Sequence, residues 1–284
     1  MTPLELAGLL FAASVCAGLL GSLLGLGGGF VVIPVLTLLF GVDIRLAIGA
    51  SVIAVVATSV AAAPGNLASG LSNIRVAIFL AMATTVGALS GAWISGWVDP
   101  RVLYVVFGAV LVFAGYQMAR KLVKTRALAA GGHDGRPGLE GEDRLGLSGS
   151  YPDLESGRDI AYQVVHPVVG LGLMYVAGTV GGLLGIGSGV LKVPAMDVAM
   201  RLPLKVSMAT SNLLIGVTAA SASLVYLLRG DVDPFLAGPV AAGVLLGAWS
   251  GGRLLPRLRV AALTWGFLVV MAVVAIEMLW KGLA

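Results

Sequence analysis

The chain has 284 residues, 58% of them hydrophobic and only 11% charged, with 41 glycines and a formal net charge of +4. A soluble domain carries about 25% charged residues, so this composition excludes an ordinary soluble protein and describes a polytopic membrane protein. The basic residues sit at segment ends, where membrane topology accounts for them, so no nucleic-acid partner is expected.

Taken in order, apolar runs fall at about 4–24, 30–41, 44–63, 75–97 and 101–119. They recur at about 161–185, 190–200, 206–228, 235–254 and 260–280. They are apolar all round rather than striped, as lipid-embedded helices are. Most reach the roughly 20 residues that cross a bilayer, but 30–41 and 190–200 reach only about half of that. The start, Met1-Thr2-Pro3-Leu4-Glu5, has no basic region ahead of its apolar run, so that run reads as a mature helix. Cys16 is the sole cysteine, so no internal disulfide forms. Between the two sets lies 125–158, rich in Gly, Asp, Glu and Arg, which is expected to be a solvated cytoplasmic linker. The chain therefore divides into a membrane repeat at 1–124, the linker, and a membrane repeat at 159–284.

The repeats are visible in a Gly-rich block. Gly25-Leu26-Gly27-Gly28-Gly29-Phe30-Val31-Val32-Ile33-Pro34 is matched by Gly185-Ile186-Gly187-Ser188-Gly189-Val190-Leu191-Lys192-Val193-Pro194. Between Gly18–Pro34 and Gly178–Pro194, eight of seventeen positions are identical. At the same offset Ser51 matches Ser211, Thr58 matches Thr218, and Gly87-Ala88 matches Gly247-Ala248. A duplicated membrane protein is typically a transporter or channel whose pathway lies between its repeats.

Basic residues set the orientation. Arg120, Lys121, Lys124 and Arg126 close the first half, and Arg253, Arg257 and Arg259 precede the last helix of the second. Both clusters face the cytoplasm only if the halves are inverted, with the short segments counted as crossings or as arms of broken hairpins. Both termini then lie outside the cytoplasm. Four crossings per half and parallel repeats form the competing arrangement, which strands one basic cluster outside.

Breaking an apolar run frees backbone groups that lipid cannot solvate. Gly27, Gly28 and Gly29, and Gly187, Ser188 and Gly189, are thus candidate binding residues, because N–H groups at a helix start suit an anion. Gly18/Gly21 and Gly87/Gly91 read as close helix packing. Lys192 lies inside the second short helix where its mirror is Val32, and a charge at that depth marks a pathway or counter-ion site. Its alternatives are snorkelling or a pair with Asp197, five residues on and poorly placed for one. Thr210, Ser211 and Asn212, with Ser51 as mirror, offer uncharged hydrogen bonds to oxyanion oxygens. Ser and Thr also bond back to their own helix, a reading at least as simple for Ser51, Thr58 and Thr218. Glu277 and Lys281 are spaced for a helix-end ion pair, and Trp93, Trp97, Trp265 and Trp280 for interfacial anchors. There is no His-Glu-x-x-His, and two histidines with one cysteine cannot build an ordinary structural zinc site. No enzyme, metal or cofactor is expected.

On these residues the chain resembles the sulfite exporter TauE/SafE family, also known as the toluene-sulfonate uptake permeases. The carrying features are the two Gly-rich blocks, each followed by a small-residue/Ser motif, Gly49-Ala50-Ser51 and Ala209-Thr210-Ser211. The strings Lys192-Val193-Pro194-Ala195-Met196 and Tyr226-Leu227-Leu228-Arg229-Gly230-Asp231 look like one branch of it. Ser188 departs from the block, which usually has Gly there. The resemblance implies an inner-membrane permease for small sulfur-containing or organic anions such as sulfite, sulfonates or sulfoacetate. The expected architecture is all-α, two inverted repeats of about five helical segments, alternating exposure by motion of one half against the other. Its partners would be the anion and the lipid bilayer, with homo-oligomerisation left open. An anion or small-solute channel is the alternative, and a membrane scaffold subunit a third.

Overall fold

Every apolar run is helical in the computed structural model, which describes residues 3–24, 27–68, 70–128, 146–153, 158–254 and 260–283. Gly25, Leu26, Arg257, Arg259 and the middle of the 125–158 stretch lie outside the described residues. The first half comprises α1 (Pro3–Leu24), α2 (Gly29–Pro34), a π-helical turn (Val35–Leu39), α3 (Ile44–Ala68), α4 (Ile74–Ser95) and α5 (Pro100–Leu128). A hairpin of β1 (Gly149–Asp153) and β2 (Arg158–Tyr162) follows. The second half comprises α6 (Pro167–Leu184), α7 (Gly189–Pro194), a π-helical turn (Ala195–Ala199), α8 (Leu204–Arg229), α9 (Pro234–Leu254) and α10 (Val260–Leu283). Among the described residues α3, α4, α5, α6 and α8 are long and apolar enough to cross a membrane. Large apolar side chains cover the outside, with Leu228 81% and Phe235 77% exposed, as a lipid-facing surface requires.

Local chemistry repeats along with the elements. Pro34 and Pro194 lack the N–H that would continue an α-helix, and a π-helical turn follows each. Each turn closes alike, Val42 N donating to Leu36 O (2.9 Å) and Leu202 N to Met196 O (3.1 Å). The carboxylates of Asp43, Asp99 and Asp233 accept from the backbone N–H of Arg45, Arg101 and Phe235, satisfying free donors at the starts of α3, α5 and α9. α2, α3, α4 and α5 begin at 29, 44, 74 and 100, and α7, α8, α9 and α10 at 189, 204, 234 and 260. The duplication is thus structural as well as sequential.

The two halves interlock rather than standing apart. α1 packs along α9, and its mirror α6 packs along α4. Likewise α3 packs on α9 and α8 on α4, while α5 pairs with α10 and α3 with α8. The contacts themselves recur in pairs. Gly18 lies against the Val244 backbone as Gly178 does against Thr84, and Gly87 against Tyr175 as Gly247 does against Val15. A Cβ at any of these four glycines would strike the facing main chain, so they permit the close helix approach that lipid-embedded packing depends on. One bundle is therefore α1, α2, α3 and α9, and the other is α4, α6, α7 and α8. The packed bundles thus differ from the sequence halves, because each half lends its fourth helix to the opposite bundle.

The ends of the helices sort into two faces. On one, Asn73 N donates to the Thr210 hydroxyl (3.1 Å) and Val165 N to Met200 O (3.2 Å). The start of α4, the start of α8, the entry to α6 and the exit of the second π-helical turn therefore meet there. On the other, Arg45 donates to Val98 O (3.0 Å) and Lys281 to Thr37 O (3.2 Å). The start of α3, the α4–α5 junction, the exit of the first π-helical turn and the end of α10 meet on that side. Lys281 thus reaches a carbonyl on the first π-helical turn, and among the described residues it makes no ion pair with Glu277.

The hairpin sits on the first face. The 125–158 stretch, expected to be solvated throughout, carries α5 as far as Leu128 and, at its other end, side chains that pack. Leu147 and Tyr151 are buried against Val76, Leu80, Met174 and Met200. Asn73 fastens the hairpin, its amide nitrogen donating to Leu147 O (2.9 Å) and to the Tyr162 hydroxyl (2.8 Å), while its oxygen accepts from Val76 N (3.0 Å). Burial pushes the Tyr162 phenol above its ordinary pKa, and the amide donation opposes that only in part. Asn73→Ala removes a helix cap and both hairpin ties. It should lower stability by about 1–2 kcal/mol and speed proteolysis near 146–162, as limited digestion of the purified protein would show.

Candidate functional site

Two glycines bring the Gly-rich blocks together at the centre of the molecule. Gly27 (φ +74°) and Gly187 (φ +70°) adopt the left-handed conformation in the links that lead from α1 into α2 and from α6 into α7. Both lie against the same two side chains, Val55 of α3 and Ile215 of α8, which are themselves 160 residues apart. A Cβ on Gly27 would have ordinary room, 3.8 Å from each, whereas one on Gly187 would lie only 2.8 Å from each. The breaks therefore converge from the two bundles onto the α3–α8 contact.

Hydroxyls from α3 tie the bundles across that contact. Ser51 Oγ donates to Gly185 O (3.0 Å), and Ser59 Oγ donates to the backbone oxygen of Asn212 (3.1 Å). Gly29 approaches Ser51 closely, since a Cβ there would meet Ser51 Oγ at 2.7 Å. On the other side Ser188 holds a left-handed conformation (φ +54°) and donates its hydroxyl to Gly187 O (2.8 Å). The hydroxyl that replaces the usual glycine is thus turned onto the main chain of the break.

Lys192 is fully buried. Its ammonium donates to Gly187 O (3.1 Å), Leu214 O (3.2 Å) and the Thr218 hydroxyl (2.5 Å). Thr218 directs its own proton to Leu214 O, so all three oxygens around Lys192 act as acceptors. Three acceptors match the three donors of a protonated amine. All three are uncharged, so a charge on this amine would be solvated by dipoles without being neutralised. Thr58, the mirror of Thr218, bonds to its own helix at Ala54 O (2.8 Å), and the mirror of Lys192 is the uncharged Val32. The second break is the charged one.

The structure gathers Gly27, Gly28, Gly29, Ser51, Gly187, Ser188, Gly189 and Lys192 around this contact. Thr210 lies away from it, on the first turns of α8, where it accepts from Asn73 N. Asn212 lends its main chain to Ser59, and among the described residues its side-chain amide makes no hydrogen bond. Ser211 is fully buried with its hydroxyl unpartnered. Thr218 carries more than back-bonding, because it bonds its own helix and receives Lys192 as well. The available signal was its recurrence at the offset of the Gly blocks. Ser59 and Asn73 left no comparable mark in the sequence.

A family model described as sulfite exporter TauE/SafE matches residues 10–278. A protein named probable membrane transporter protein YunE, from Bacillus subtilis (strain 168), is 26% identical over 286 residues, covering 97% of this chain and 98% of that protein. A probable membrane transporter protein of Xylella fastidiosa (strain 9a5c) is 27% identical over 273 residues, covering 94% of each chain. A third similar protein, probable membrane transporter protein MJ0441 of Methanocaldococcus jannaschii, is 26% identical and covers 77% of this chain and 72% of its own length. No solved structure matches.

Proposed function

The chain belongs to the sulfite exporter TauE/SafE family, a multi-pass membrane transporter, and from that premise we propose that it is a secondary carrier of small sulfur-containing or organic anions in the inner membrane. Sulfite, sulfonates and sulfoacetate are the substrates in view. The observation that carries this reading is the buried Lys192 amine, held by neutral oxygens at the point where the two Gly breaks converge, and we take it as protonated when the anion is bound. An unneutralised charge in a low-dielectric interior attracts a counter-ion strongly, and a permeating anion supplies one. Gly27, Gly28, Gly29, Ser51, Gly187, Ser188, Gly189, Ser211 and Asn212 line or adjoin that point. Thr210 joins the path at the hairpin face.

Inverted repeats are part of the proposal, and helix-end parity supports them. α1 runs parallel to α9, since Phe11 and Val15 face Gly243 and Gly247 in step. α6 likewise runs parallel to α4, Tyr175 and Thr179 facing Gly87 and Gly91. Each break makes a hairpin that returns to its starting face, and three further helices follow. The first half then starts on the face where the second ends. Arg75 and Arg253 lie at helix ends on the hairpin face, Arg201 just before α8, and Arg120 where the membrane-length part of α5 stops, which makes that face cytoplasmic by the bias of basic residues. A reporter fused after Leu283 should accordingly read as external and one inserted at 129–145 as cytoplasmic. The reverse pattern, or the same side for both, would remove the inversion.

Alternating exposure would come from rocking one swapped bundle on the other across the α3–α8 contact. Among the side-chain bonds described between those bundles, motion there has to break or slide the Ser51 and Ser59 bonds and, at the α4–α5 junction, the bond from Arg45 to Val98 O. The anion itself is tested by thermal stabilisation of the purified protein. Binding to the native state raises the unfolding temperature with ligand concentration, so sulfite or sulfoacetate should do so saturably, and sodium chloride of equal ionic strength should not. No shift with any of these anions would overturn the reading.

A further inference from the structure

α8 carries hydroxyls at Ser207, Ser211 and Thr218. Spacings of four and seven residues place them within about 40° of one another, along about 16 Å of one helix face. Thr218, at the inner end, holds the Lys192 ammonium. Ser207, at the outer end, lies in the first turn of α8 on the hairpin face, its backbone N–H bonded to Pro203 O (2.9 Å). Both Ser207 and Ser211 are 0% exposed, and among the described residues the hydroxyl of neither has a hydrogen-bond partner.

That pair departs from the habit of this molecule. Other buried hydroxyls find an acceptor, either across from their helix (Ser51 on Gly185 O, Ser59 on Asn212 O) or on the helix itself (Thr37 on Ile33 O, Thr58 on Ala54 O, Thr84 on Leu80 O, Ser95 on Ala92 O). A serine in a helix can make that bond at almost no cost, and leaving a buried hydroxyl unpaired costs about 1–3 kcal/mol. Two such hydroxyls one turn apart, on the helix face that carries Thr218, are therefore left free to serve a guest. The first repeat has no equivalent, since position 47 is Ala, Ser51 is bonded to Gly185 O, and position 32 is Val.

We infer that Ser207 and Ser211 are donors to the transported anion, forming with Lys192 a hydroxyl ladder from the cytoplasmic face to the centre. This inference rests on the anion-carrier reading above. The ligand it fits is a compact oxyanion or sulfonate head with several acceptor oxygens, able to take one hydroxyl while leaving another. Neutral donors replace part of the hydration shell without holding the ion as a fixed charge would. Ser207, which no sequence motif marked, becomes a substrate-contact residue at the cytoplasmic entry.

The test uses the full chain in proteoliposomes with radiolabelled sulfite, comparing wild type with Ser207→Ala, Ser211→Ala and the double variant. Ser221→Ala is the control, its exposed hydroxyl being bonded to Val217 O. Each ladder variant should raise the half-saturating concentration about tenfold or more, the equivalent of one hydrogen bond to a charged group. The unfolding temperature without anion should stay level or rise, because alanine leaves no orphaned partner behind. Unchanged half-saturation would overturn the ladder, as would a lower unfolding temperature with unchanged half-saturation, which would mark the hydroxyls as packing or water sites. If wild type neither binds nor moves sulfite or sulfoacetate, the carrier reading fails and the ladder falls with it. An active wild type with unaffected serine variants sinks the ladder alone.

Discussion

Lys192→Met should abolish anion transport while leaving the protein folded. Methionine fills a similar volume without the charge, and the three oxygens it abandons are not all stranded. Gly187 O keeps the Ser188 hydroxyl, and Leu214 O keeps the Thr218 hydroxyl. Thr218 loses only a donor to its own oxygen, which still directs its proton to the helix. Relief from burying a charge offsets the lost hydrogen bonds, so the stability change should stay within about 1–2 kcal/mol. Transport should fall at least 100-fold, because the interaction lost is one between full charges in a low-dielectric site. A fixed structural cross-link would behave the other way, with a marked fall in unfolding temperature and residual transport in whatever protein survives. Measuring uptake and thermal unfolding on the same preparation separates the two.

The second large effect is expected at the meeting of the breaks. Gly187→Ala should destabilise far more than Gly27→Ala, although the two positions are mirror images. Both substitutions force a side chain into the left-handed region, which costs about 1 kcal/mol or more. Only at Gly187 would the new methyl also press into Ile215 and Val55, at 2.8 Å. Overpacking of that kind adds about 1–3 kcal/mol, so Gly187→Ala should cost about 3 kcal/mol in all. Ile215→Ala introduced beside it should recover part of the loss. Unfolding in detergent would show this ordering, and equal costs at the two glycines would contradict the packing described here.

Much of this architecture could be read from residues. The short runs after the Gly blocks are the short helices α2 and α7, each continued by a π-helical turn, where length alone left a crossing and a re-entrant arm both open. The offset that aligned Gly27 with Gly187 also aligns the helix starts, the proline-induced π-helical turns and the closest glycine contacts. The exchange of α4 and α9 between bundles was not legible, because lipid-embedded helices are apolar all round and carry no stripe naming a partner. Small residues at Gly87 and Gly247 announced close packing without saying against what. The hairpin was hidden by composition, since a polar stretch gave little weight to Leu147, Tyr151 and Tyr162.

At the site, Lys192 stood out because a charge at that depth is expensive. Its acceptors did not, because two of them are backbone carbonyls, and any residue has one. Thr218 read as an ordinary back-bonding threonine, which it is, and its second role depends on where α7 lands. Thr210 looked like one member of a polar patch with Ser211 and Asn212. Successive residues on a helix point about 100° apart, so the three face different neighbours, and Thr210 reaches the start of α4.

Counterflow tests the central claim most directly: a carrier whose anion site opens alternately to the two faces. Proteoliposomes loaded with unlabelled sulfite or sulfoacetate would be diluted into a trace of the same anion carrying a radiolabel. The account predicts transient, saturable accumulation of label, driven by exit of the unlabelled anion and lost in Lys192→Met. Entry of label that neither saturates nor responds to the internal anion would contradict it and mark the protein as a channel.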